Sequence, residues 1–181
     1  MLRWGAVLLL VVAWGLSADP AAAEQNVSIK AFRGNWSGSA VANNRDSLYF
    51  GVTIRDLDFK LEGDDNAFTV TWTTVMRRGG TPEKPNVRRK ETIVRFVPAG
   101  QPGVWRAQDS GDPLAGKNTI WARIRGNALI LYFLDVTPNG AYELSRYARA
   151  LSGSGMDLEF TLIVDGDPVR TVRGKLVKQS N

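Results

Sequence analysis

From Arg33 to Lys178 the chain runs strand after strand, joined mostly by links too short for anything but antiparallel neighbours. Turn chemistry punctuates it at Gly63-Asp64-Asp65-Asn66, Gly79-Gly80, Pro98-Ala99-Gly100, Gly126-Asn127, Pro138-Asn139-Gly140, Gly153-Ser154-Gly155 and Asp165-Gly166-Asp167-Pro168. Between these signals lie runs rich in Val, Ile, Thr and aromatic residues, none with a sustained helical period. The predicted strands are Lys30–Ala42, Ser47–Glu62, Ala67–Arg78, Val87–Val97, Gly103–Gln108, Asn118–Arg125, Ala128–Val136, Ala141–Leu151, Met156–Val164 and Val169–Lys178. An open meander of about ten strands would leave two unpaired edges, and closure removes them. The predicted fold is therefore all-β: a single antiparallel meander closed as a soluble up-and-down β-barrel.

Alternation along the strands assigns them an inside and an outside. Phe68, Val70, Trp72, Thr74 and Met76 share one face, as do Met156, Leu158, Phe160, Leu162 and Val164. The opposite faces carry Arg77, Asp157 and Glu159, which would be costly on the lipid side of an outer-membrane barrel. In the second run the phase breaks between Ile54 and Leu57, which predicts a bulge or corner at Arg55-Asp56.

The first residues have a different character. Arg3 precedes an apolar core, Ala6 to Leu16, followed by Ala21-Ala22-Ala23, the pattern of a cleavable signal peptide. Those eleven residues would span only about 16 Å as a helix, against roughly 30 Å of bilayer core. The expectation is a leader at 1–23, then one barrel domain at 24–181, exported to a bacterial periplasm or secreted and not membrane-spanning after cleavage. The chain has no cysteine, so it makes no disulfides, and its formal net charge is +5.

Gly34-Asn35-Trp36, extended by Gly38, opens the first long strand ahead of the hairpin series. On these residues the chain resembles the lipocalin and wider calycin group of β-barrels. That resemblance implies that Trp36 closes one end of the barrel and that an arginine of the last strand, Arg170 or Arg173, packs across it, the spacing choosing neither. The chain departs from typical lipocalins in having ten predicted strands rather than eight and no C-terminal helix pattern. Gly and Trp would also suit any sharply coiled barrel strand without kinship.

With no histidine or cysteine, a Ser–His–Asp triad and a Cys–His pair are impossible, and zinc and haem lose their usual ligands. No catalytic residue, metal ligand or cofactor is assigned. Aromatic side chains are the natural lining of a hollow barrel, so Phe50, Trp72, Phe96, Trp121, Tyr132 and Phe160 are ligand-binding candidates. The same rings would serve equally as core. Arg123, Arg146 and Arg149 sit mid-strand among apolar neighbours and could orient an anionic group, Arg123 and Arg146 being the leading pair.

The segment Arg77–Lys90 holds six cations and one anion around a hairpin tip. Arg77, Arg78, Arg88 and Arg89 are candidates for contact with an anionic envelope surface, although such runs are commonly just solvated faces. No recognised nucleic-acid-binding signature accompanies them. The leading expectation is an exported, non-catalytic barrel that binds a small hydrophobic or amphipathic molecule. Two alternatives are an envelope interaction module with a filled core and a small-barrel enzyme using Tyr, Arg or carboxylates. An internal cavity, and the polar side chains pointing into it, would separate them.

Overall fold

The computed structural model describes residues 26–44, 53–81, 84–153 and 155–180. Ten strands follow in chain order: β1 (Gly34–Asn44), β2 (Thr53–Gly63), β3 (Phe68–Thr81), β4 (Lys84–Pro98), β5 (Val104–Ala107), β6 (Thr119–Arg125), β7 (Ala128–Val136), β8 (Tyr142–Ser152), β9 (Gly155–Val164) and β10 (Asp167–Lys178). Each pairs antiparallel with the next, and β10 returns to β1 with Trp36 opposite Lys178 and Val41 opposite Arg173. The barrel is closed and up-and-down. Its tight β9–β10 turn places both Asp165 and Gly166 at positive φ, 47° and 93°, the backbone a two-residue hairpin requires.

One end is packed solid. A 3-10 turn at Ile29–Phe32, capped by the Ser28 side chain, tucks Ile29 and Phe32 completely out of solvent. They join Trp36, Leu61, Phe68, Phe96, Trp105, Leu129 and Met156 in a continuous core. Phe68 stacks on Phe96 at 5.0 Å and meets Trp105 edge-on at 5.3 Å. The Trp105 indole donates to the Asp65 carbonyl at 2.8 Å, tying the β2–β3 turn to this end. Lys30 to Arg33 had been expected within the first strand. They form the plug because Ile29 and Phe32 both face the core, a spacing a strand cannot provide.

Two further expectations are corrected. No bulge occurs at Arg55-Asp56: β2 runs in unbroken register from Thr53 to Gly63, with Arg55 in phase with Leu57, Phe59 and Leu61. The apparent phase break arose because an arginine occupies an inward position. The irregularities instead lie between Pro168 and Arg170 and between Arg77 and Gly80. The cation over Trp36 is Lys178, its Nζ 5.4 Å from the ring, while Arg173 points outward to Glu159. β10 alternates, so Arg173 takes the outer face and the strand's end delivers Lys178 beside Trp36.

The outer wall carries paired charges. Arg146 Nη1 and Arg173 Nε both donate to Glu159 at 3.1 Å, and Lys60 pairs with Glu62 at 2.8 Å. Among the described residues no helix is long and apolar enough to cross a membrane. Ser47 to Val52, including Phe50, and residues 1–23, expected to be a leader, lie outside the described residues.

Candidate functional site

Toward the other end the barrel is hollow. A cavity of about 620 Å³ opens among the inner faces of β2, β3, β4, β8, β9 and β10. That size lies within the range of small-molecule sites. Its middle is apolar, with Leu57, Leu158, Phe160 and Val172 among the lining residues. Its mouth is polar, carrying Arg88, Lys90, Glu143, Ser145 and Arg170 near the strand ends. Alternation places these charges inside: Arg88 faces Met76 and Lys90 faces Thr74 across the β3–β4 ladder, in phase with inward Trp72.

A connected group of rings forms one wall. Tyr147 lies 5.4 Å from Trp72, 5.6 Å from Phe133 and 4.7 Å from Phe160. Within this group sits Arg149, only 2 % exposed although it lines the cavity. Its guanidinium lies 4.3 Å from the centre of the Phe59 ring, 5.5 Å from Trp72 and 5.8 Å from Tyr147. Phe59 belongs to the packed end, so Arg149 stands on the cavity floor. Its Nε and Nη1 are buried without a hydrogen-bond acceptor among the described residues. Ring faces stabilise a cation but accept no strong hydrogen bond, so much of the desolvation cost remains. Burial lowers the Arg149 pKa to about 10, partly offset by nearby Tyr147, so the group is cationic at neutral pH. Burial pushes the Tyr147 phenol up despite Arg149 and Arg55, and it stays neutral.

The ligand-binding candidates separate by strand phase. Trp72 and Phe160 line the cavity. Phe96 is fully buried but belongs to the packed end, stacked on Phe68. Trp121 and Tyr132 stack on each other at 4.7 Å on the outer face, where Trp121 pairs with Arg106 and Tyr132 with Arg146. Arg123 is exposed opposite Ile130, and Arg146 is held by Glu159. The placement of Trp121, Arg123, Tyr132 and Arg146 inside the barrel is therefore corrected. On β6, Ala122 and Ile124 take the inner positions; on β7 and β8, Leu131, Tyr147 and Arg149 do.

The basic hairpin is divided the same way, with Arg88 lining the cavity and Arg89 exposed outside. The side chains of Arg77 and Arg78 lie outside the described residues. The sequence offers Arg149 as one of three candidate arginines, with Arg123 and Arg146 ahead of it. The missed signal was its phase with Tyr147 and Leu151, together with Ala148 and Ala150 on the other face. Arg55, Lys90 and Arg170 were not anticipated as lining residues.

No family model and no curated protein matches this sequence. Among solved structures, a DUF3598-family protein of unknown function from Nostoc punctiforme is similar over 90 % of this chain, at 17 % identity and a TM-score of 0.56. This chain spans 53 % of that protein's length. An S-type phycobiliprotein lyase from Guillardia theta aligns over 86 % of this chain and 94 % of its own, at 8 % identity and a TM-score of 0.36. The first likeness is one of fold alone, that of a closed antiparallel barrel.

Proposed function

We propose that this chain is exported and that its barrel binds a small hydrophobic or amphipathic molecule without transforming it. The observation that carries the reading is a cavity of about 620 Å³ with aromatic and aliphatic walls and a charged mouth. An apolar guest gains by leaving water for such walls, at about 25 cal/mol per Å² buried. The mouth can stay hydrated while it does so. Export rests on Arg3, the apolar run Ala6 to Leu16 and Ala21-Ala22-Ala23. A filled core, the premise of the interaction-module alternative, does not fit this cavity.

The test uses the neutral fluorophore N-phenyl-1-naphthylamine. Saturable fluorescence enhancement with a raised melting temperature is expected, both abolished by Leu158→Trp, which fills the cavity. Absence of binding by this probe, with nothing carried by the purified protein in native mass spectrometry, would remove the proposal.

A further inference from the structure

We infer that the floor of the cavity is a seat for one carboxylate, so that the guest is an apolar acid held head-down with its carboxylate on Arg149. This deepens the binding function proposed above and rests on it. A structural role would pair a buried guanidinium with a carboxylate or carbonyls, because buried donors left unmade are costly. Glu159, on the neighbouring strand, is instead committed outside to Arg146 and Arg173. The floor arginine stands among Phe59, Trp72 and Tyr147, with Nε and Nη1 unsatisfied by any described residue. Arg149 is among the residues lining a cavity large enough for a guest, with Nε and Nη1 themselves closed off by the surrounding side chains.

The chemistry of the surroundings narrows the guest. A carboxylate brings one negative charge and can accept two parallel hydrogen bonds from a guanidinium. Rings around the pair exclude water, so the charge-assisted bonds are little screened. Leu158 stands beside the seat, opposite Arg149, and Leu57, Phe160 and Val172 continue the apolar lining. The guest is therefore a monocarboxylic acid with its hydrocarbon or aromatic body lying above its head. Arg88, Lys90 and Arg170 at the rim would attract the acid toward the cavity before it binds.

Paired probes test the seat apart from the cavity: cis-parinaric acid and its methyl ester, titrated by fluorescence. Wild type is expected to bind the acid more tightly by at least about tenfold, the worth of one charge-assisted contact. Arg149→Met should reduce acid binding to the ester's level and leave the ester unchanged. The ligand-free Arg149→Met protein should melt at a higher temperature, because an unpaired buried charge has gone. Arg149→Lys should retain part of the acid preference, guarding against loss through misfolding.

Equal binding of acid and ester by wild type would overturn the inference, as would an acid preference that survives Arg149→Met. Failure of both parinaric probes while N-phenyl-1-naphthylamine still binds would also overturn it and leave the proposed function standing. If the neutral probe fails as well and native mass spectrometry finds nothing carried, both fall.

Discussion

At the scale of single residues, two positions carry most of the information. Gly38, from the Gly-x-Trp-x-Gly signature, lies where β1 and β10 nearly touch: an added Cβ would meet the Lys175 carbonyl oxygen at 1.9 Å and Leu176 Cα at 3.0 Å. Both neighbours are backbone, so the strands must separate. Gly38→Ala is expected to destabilise the barrel by about 1–3 kcal/mol, seen as a lower urea midpoint at unchanged m-value. Arg149 predicts a pH dependence. Acid binding requires the protonated guanidinium, so affinity for cis-parinaric acid should hold steady through neutral pH and fall as pH passes about 10. A lysine starts lower, near 10.4 in water, and the same burial depresses it further, so Arg149→Lys should lose acid binding at a lower pH than wild type. Fluorescence titration across the alkaline range checks both.

At the scale of elements, the terminal 3-10 turn and strand phase decide what each segment does. Phe32 is fully buried, so Phe32→Ala should cost about 3–5 kcal/mol. Leu114, in the second 3-10 turn (Pro113–Ala115), is 82 % exposed, and Leu114→Ala should change stability by less than about 0.5 kcal/mol. Denaturant unfolding separates the two. Trp72→Ala should weaken capture of N-phenyl-1-naphthylamine, whereas Trp121→Ala should leave it unchanged, because Trp121 stacks on Tyr132 outside the barrel. The predicted elements followed the observed ones well from β3 onward, since turn residues and apolar alternation are local signals. They were less informative on which aromatic strand face turns inward. Trp121 and Tyr132 look like core from composition, yet Ala122 and Leu131 occupy the inner positions of the same strands.

At the scale of the whole molecule, charge is arranged by depth: a patterned outer wall, a mainly cationic mouth and the buried cation Arg149 on the floor. Edge management belongs to this scale too. β4 pairs with β5 only over Phe96–Pro98, so the cationic first half of β4 borders the mouth with β3 as its ladder partner. The mouth's field reaches into solvent while the floor's does not. Raising salt from about 0.01 M to 0.15 M, which shortens the Debye length from roughly 30 to 8 Å, should slow association of cis-parinaric acid several-fold and barely alter its dissociation. Stopped-flow fluorescence resolves the two rates.

The amino-acid sequence by itself determined an all-β chain of about ten strands, the closed meander and the absence of histidine and cysteine chemistry. These follow from period-2 alternation, turn residues and composition, each legible within a few residues. Only the tertiary structure decided that one end is filled and the other hollow, that Lys178 rather than Arg173 lies over Trp36, and that Arg149 rather than Arg146 faces the interior. The physical reason is that strand phase reverses with every residue. An arginine's neighbours in sequence lie on the opposite face, while the rings that surround Arg149 come from β2, β3 and its own strand two residues away.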